Sequence, residues 1–171
     1  MPIQVDRRSS LSDSDVATLF DRHYRALTNL AHLLLGDRAL AEDAVMEAFE
    51  RVLSVRRRLR DPQRADRYLR RAVVNNCRSR QRRAQVEIRA NTRHHTAEPP
   101  QRSELDRRDE AIIEAIRTLP IRQRAAIVLR YLEDRSEAET AVILGCSIGT
   151  VKSQLSKGRR ALRQALEQEE T

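Results

Sequence analysis

A chain of 171 residues with a formal net charge of +8 is expected to meet a polyanion, and nucleic acid is the usual one for a basic protein. Ala, Leu, Arg and Glu dominate while Gly is rare, which favours an all-α fold over sheet. No apolar run approaches the roughly 20 residues that span a bilayer, the N-terminus lacks the apolar core of a signal peptide, and Cys77 and Cys146 form no CxxC pair, so membrane insertion, a disulfide framework and a zinc site are not expected and the cytoplasm is.

From Asp15 to Leu35 the residues Val16, Leu19, Phe20, His23, Leu27, Leu30, Ala31 and Leu34 make an apolar stripe at helical spacing, ended by Gly36. His23 reads as a stripe residue, not a ligand, because no metal-binding partner stands at suitable spacing. Asp37 can cap a second helix, Ala39 to about Val55, with Ala41, Ala44, Val45, Ala48, Phe49 and Val52 inward. Its other face carries Glu42, Asp43, Glu47 and Glu50, either a docking surface for a basic protein or simply a solvated face. The charge then reverses in RRRLRDPQRADRYLRRAVVNNCRSRQRR, which starts at Arg56, with Asp61-Pro62 marking a loop. In the helix expected to begin near Asp66, Leu69, Ala72, Val73 and Cys77 form the buried stripe, and Arg67, Arg70, Arg71, Asn75, Asn76 and Arg78 project elsewhere, as suits a phosphate backbone. Tyr68 is either a ring for stacking on an exposed base or a core tyrosine with its hydroxyl at the surface.

Apolar periodicity fails from about residue 84, and His94, His95, Pro99 and Pro100 stand among polar side chains, as in a flexible linker. This break divides the chain into small helical domains at 12–84 and 105–168, joined by a linker at 85–104. Leu105, Ile112, Ile113, Ile116 and Leu119 define the next helix, Pro120 starts another as a first-turn proline, and Ile127, Val128, Leu129 and Leu132 are expected to be buried. The stretch from Ser136 to Leu166 reads as a helix-turn-helix, with a capping box at Ser136 and Glu139, a turn at Gly145, and a second helix opening at Ser147. On that helix Val151, Leu155 and Leu162 can face the core. Thr150, Lys152, Ser153, Ser156, Lys157, Arg159 and Arg160 are left outward, hydroxyls and cations of the kind that a major groove accepts. The chain's two lysines both lie here. A solvated basic hairpin is the alternative for this segment taken alone.

No phosphate-cradling glycine loop, nucleophile elbow or HExxH is present, so neither catalytic residues nor a cofactor or metal is expected. The segments GDRALAEDAVMEAFERV and YLRRAVVNNCRSRQRR, then a linker, then LPIRQRAAIVLRYLEDRSEAETAVILGCSIGTVKSQLSKGRRAL, resemble the extracytoplasmic-function (group 4) sigma factors of bacterial RNA polymerase, from about Ser14 to Leu166.

The resemblance implies that the first domain binds the polymerase clamp and the melted promoter element, and that the second reads the element upstream. It assigns Glu42, Asp43, Met46, Glu47 and Glu50 to the polymerase, and Arg58, Arg60, Arg64, Tyr68, Arg71, Asn75 and Arg78 to the melted element. It assigns Ser147, Thr150, Lys152, Ser153, Ser156, Lys157, Arg159 and Arg160 to the upstream element. Core RNA polymerase, promoter DNA and an anti-sigma factor are the partners implied, for a chain expected to be monomeric when free. Met46 stands where members often carry glutamine, Tyr68 where tryptophan is frequent, and Gly158 where alanine is usual. A mid-helix glycine costs about 1 kcal/mol and is expected to loosen the last helix. Few rings are available to stack on unpaired bases, which predicts weak strand separation and stringent promoter choice. A stand-alone helix-turn-helix regulator is the alternative, expected to dimerise on a palindrome; a helical adaptor explains the charge but not the capped hairpin.

Overall fold

The computed structural model describes residues 12–55, 62–90 and 107–169, and every regular element among them is helical. The first helix, α1 (Asp13–Leu35), starts two residues earlier than periodicity indicates, because Ser12 and Asp15 close a capping box. It ends at Gly36 with φ +78°, a left-handed position that a β-carbon would strain. Asp37 accepts a hydrogen bond from the Leu40 amide at 2.8 Å and starts α2 (Arg38–Val55). The third helix, α3 (Pro62–Ala90), begins at the proline and not near Asp66, since a fixed φ and a missing N–H suit a first helical turn. Leu27, Leu30, Leu34, Val45, Val52, Leu69 and Val73 are fully buried where α1, α2 and α3 pack together.

The chain resumes with α4 (Arg107–Thr118) and α5 (Ile121–Ile127), the latter continuing as a π-helical turn over Val128–Leu132. Then follow α6 (Glu137–Leu144) and α7 (Ile148–Glu169). Pro120 stands at the N-cap of α5, just outside its first turn. The Ser136–Glu139 capping box forms as expected, and Gly145 ends α6 with φ +64°. Ile116, Leu119, Ile127, Val128, Leu129, Val151 and Leu155 are buried beneath this hairpin. Leu132 is not: it is 55% exposed, at the end of the π turn, whose wider winding takes the side chain out of the α-helical register that predicted its burial. Ile112 is also exposed, while Ile116 and Leu119 from the same stripe are inside.

Other expectations need correction. The stretch 85–90, assigned to the linker by loss of periodicity, is the last part of α3. Gln, Glu, Arg and Ala are good helix formers and can extend a helix that is already nucleated without an apolar face. His94, His95, Pro99, Pro100, Leu105 and the arginines Arg58 and Arg60 lie outside the described residues. Gly158 does not loosen α7. It is buried, and a β-carbon there would stand 2.9 Å from Cγ1 of Ile127, so the glycine lets α7 cross α5 at close range.

The two halves pack against each other. Their apolar side chains form one continuous buried cluster, with α1 touching α4 and α5, and α3 packed on α6. Arg124 joins them. Its guanidinium donates to the carbonyl of Leu34 at the end of α1, and also to those of Arg117 and Leu119 at the end of α4. These are orphan carbonyls of two helix C-termini, met by one buried cation. Burial, with Arg117 nearby, pulls the Arg124 pKa down from its ordinary value.

Candidate nucleic-acid interface

On α3 the candidate residues Arg64, Tyr68, Arg71, Asn75 and Arg78 recur at alternating spacings of four and three, which puts them on one face of a helix. Arg64, Arg71 and Asn75 are exposed and Arg78 is half-buried. Tyr68 is half-buried and packs against the core, a position compatible with both readings of its ring. Arg70 and Asn76, expected to project outward, are only 4% exposed. Each has a local reason. The Asn76 amide donates to the Ala44 carbonyl on α2 at 2.9 Å. Arg70 is neutralised on both sides: its Nε lies 3.1 Å from Asp66 one turn back, and its Nη1 donates to Glu133 at the end of the π turn.

That pair belongs to a larger polar cluster between the halves. Arg135 reaches Asp66 at 3.4 Å, and His23 approaches the same carboxylate at 3.3 Å. Burial, despite the pull of Asp66, holds the His23 imidazole below its usual pKa, with Arg70, Arg22 and Arg135 acting in the same sense. Burial also pushes the Glu133 carboxyl up, against Arg70 and Arg135, which pull it down. Cys77, inside α3, has its thiol pushed up to about 12 by burial and is inert. Among the described residues no His, Cys, Asp and Glu grouping could hold a metal ion.

The helix-turn-helix presents its second helix outward. Lys152, Ser153, Ser156, Lys157, Arg159 and Arg160 are all exposed along α7. Lys152 lies 3.8 Å from Glu137 on α6, a surface pair of the kind that contributes little and is cheaply exchanged. Ser147 caps α7, since its hydroxyl accepts from the Thr150 amide at 3.1 Å and meets the Thr150 hydroxyl at 2.9 Å. Gln154, which was not among the candidates from sequence, is half-buried on α7 and lines a cleft with Thr150.

On α2, Asp43, Met46 and Glu50 are exposed, the methionine at 45%. Glu42 pairs with Arg38 at 3.0 Å, and Glu47 bridges Arg51 at 2.7 Å and Arg80 of α3 at 3.4 Å. The outward acidic face thus centres on Asp43 and Glu50.

The two basic surfaces meet. The Arg71 guanidinium lies against the helix-turn-helix turn, 3.0 Å from where a β-carbon on Gly145 would stand. Arg78 shares a cleft with Cys146, Thr150 and Gln154, and Asn75 shares a second cleft with Ile121 and Arg122.

Residues 19–87 match the family model for Sigma-70 region 2 and residues 109–162 that for Sigma-70, region 4. The chain is 33% identical over 142 residues to "RNA polymerase sigma-E factor" of Streptomyces coelicolor, spanning 82% of this chain and 80% of the relative. It is 34% identical over 151 residues to "ECF RNA polymerase sigma factor SigM" of Mycobacterium tuberculosis, spanning 86% and 75% respectively. Among solved structures, the sigma factor RpoE of Bartonella quintana, crystallised with the anti-sigma factor NepR, superposes with a TM-score of 0.74 at 25% identity, over 90% of this chain and 98% of that one. A stand-alone regulator has no use for a region 2 ahead of its reading helix, and that alternative falls. With both regions in this order and relatives of this closeness along most of its length, the chain belongs to the sigma-70 family, among the extracytoplasmic-function RNA polymerase sigma factors.

Proposed function

We infer that this sigma factor binds core RNA polymerase and directs promoter-specific initiation through two separate DNA surfaces, contributing no chemistry of its own. The carrying observation is the pairing, in one chain of family type, of a single-face basic stripe on α3 with an exposed basic flank on α7. Lys152, Ser153, Ser156, Lys157, Arg159 and Arg160 would enter the major groove of the upstream element, hydroxyls and cations meeting base edges and phosphates. Arg64, Arg71, Asn75 and Arg78 would take the melted downstream strand, with Arg58 and Arg60 on the adjoining segment and Tyr68 in a supporting position. The clamp would meet Asp43, Met46 and Glu50, with Glu42 and Glu47 behind them. Residues 12–84 and 105–168 are the two working units, and the helical extension to Ala90 leads into the connection. Work on the chromosome places the protein in the cytoplasm, as a monomer when free. No described helix is long and apolar enough to cross a membrane. A protein that covers such surfaces would silence it, and the complex of RpoE with NepR supports an anti-sigma partner here.

The test is transcription from a genomic promoter library with bacterial core RNA polymerase, with and without this protein, beside DNA binding by the protein alone. Protein-dependent transcripts that share two spaced upstream elements are expected. Tight sequence-specific binding without polymerase, and no new transcripts, would overturn the reading.

A further inference from the structure

Two clefts adjoin where α3 lies beside the second half of the chain, and Arg78 and Arg122 line both of them. The larger, of about 410 Å³, has three guanidinium groups as its charged lining: those of Arg78 and Arg82, one turn apart on α3, and that of Arg122 on α5. Asn75, Ser79 and Gln85 add neutral hydrogen-bonding groups. The smaller, of about 140 Å³, differs in character: besides the shared arginines it offers the apolar Ala125 and Leu144, the hydroxyl of Thr150 and the amide of Gln154. Hydroxyl and amide can each donate and accept. Among the described residues, no carboxylate lines either cleft. That sets these arginines apart from others in the fold. Arg51 and Arg80 pair with Glu47, Arg70 with Asp66 and Glu133, and Arg117 with Glu114. Among the described residues, no carboxylate pairs with Arg78, Arg82 or Arg122.

We propose that the adjoining clefts are a binding site for a nucleoside polyphosphate, its phosphates held by Arg78, Arg82 and Arg122 and its base seated in the smaller cleft against Ala125 and Leu144. Like charges gathered around one concavity repel each other, and a cleft lined by one sign draws in counter-ions of the other. Guanidinium groups meet phosphate oxygens in bidentate pairs, so several of them suit a run of phosphates. The larger cleft has the size of a small-ligand site, roughly 300–1,000 Å³, but not the usual apolar lining, which selects a highly charged occupant. The smaller cleft has what the other end of such a ligand needs: apolar surface for a flat ring, and two side chains for the ring's polar edge. Inorganic phosphate would leave that cleft unused, and an apolar ligand would leave the arginines without a counter-charge. The site is separate from the proposed function and does not depend on it.

The experiment titrates the full chain by isothermal calorimetry, at fixed ionic strength, with ATP, GTP, CTP and UTP, with their nucleosides, and with inorganic pyrophosphate. One saturable site is expected, binding at least one triphosphate about tenfold or more tighter than pyrophosphate and than the matching nucleoside. Arg82→Gln with Arg122→Gln, both at exposed positions, should weaken triphosphate and pyrophosphate alike by about tenfold or more, since each charged hydrogen bond is lost from both. Gln154→Ala should weaken the triphosphate and leave pyrophosphate as it was. Arg25→Gln with Arg163→Gln removes the same charge from exposed positions outside the clefts and should change neither. Circular dichroism checks that each variant is folded, and Arg82→Gln alone carries the test should the double variant unfold. Equal affinity for triphosphates and pyrophosphate overturns the nucleoside class. Equal losses in the two double-arginine variants assign the binding to diffuse charge and overturn the site, as does a lack of saturation at millimolar triphosphate. Binding of a short single-stranded oligonucleotide that needs Arg82 and Arg122, with no triphosphate bound, gives the clefts to a nucleic-acid strand and likewise overturns the proposal. Absence of transcripts with core polymerase would sink the sigma reading instead, while the titrations still decide the site.

Discussion

At the scale of single residues, Gly158 shows how a sequence rule and a packing contact oppose each other. Alanine there gains about 1 kcal/mol of helix propensity, but its β-carbon would stand 2.9 Å from Cγ1 of Ile127, a buried β-branched side chain with little freedom to move. Overpacking of this kind costs roughly 1–3 kcal/mol, so Gly158→Ala should lower the midpoint of thermal unfolding by about 2–4 °C per kcal/mol of net loss. A rise in the midpoint by circular dichroism would show that α7 can shift off α5 freely. Glu139 offers a pH test. Its hydrogen bonds from the Ser136 backbone and hydroxyl hold its pKa below the ordinary 4.5. A carboxyl depressed in the folded state adds stability above its unfolded pKa, and loses it as pH falls through the folded value. Wild type should therefore lose more stability than Glu139→Gln on acidification from pH 5 to about pH 3, in denaturant titrations at each pH. Equal losses would mean that the cap contributes nothing through its charge.

At the scale of elements, caps and faces were legible because they are local. Ser136 with Glu139, Asp37, Gly36 and Gly145 each announce themselves within four residues, and each does what its type allows. The stripe on α3 was legible for the same reason: Arg64, Tyr68, Arg71, Asn75 and Arg78 share a face whatever the rest of the chain does. Arg70 was not, since Asp66 one turn back is only one of its two partners and the other, Glu133, lies 63 residues away, where nothing in the local sequence announces it. Leu132 failed similarly, as a π turn breaks the period on which its burial was argued. The α7 surface gives a prediction at this scale. Lys152→Ala with Lys157→Ala should weaken binding of the polymerase holoenzyme to its promoter about tenfold or more and reduce the slope of log affinity against log salt by up to about two. A loss confined to one promoter sequence, with the salt slope unchanged, would assign these lysines to bases and not phosphates. On α2, Asp43→Arg with Glu50→Arg should reduce core polymerase binding and leave the α7 surface intact, which co-purification with core enzyme measures.

At the scale of the whole molecule, the question is whether two regions that share one buried cluster unfold together. The buried apolar residues of both form that cluster without a break, so heating should give one cooperative transition. Arg124 is the residue on which this depends most. It supplies the donors for the Leu34 carbonyl in one half and the Arg117 and Leu119 carbonyls in the other, three acceptors at helix ends that no neighbouring amide can serve. Arg124→Met keeps the length and removes every donor. Part of the loss is recovered when an apolar side chain replaces a buried cation, and part is not, because the carbonyls remain and each buried acceptor left without a donor costs about 1–3 kcal/mol. The variant should unfold at a lower temperature, and its transition should broaden or split as the first half loses its tie to the second. Calorimetry decides the point: a single sharp transition at the wild-type temperature would mean that water serves all three carbonyls and that the apolar cluster alone joins the halves.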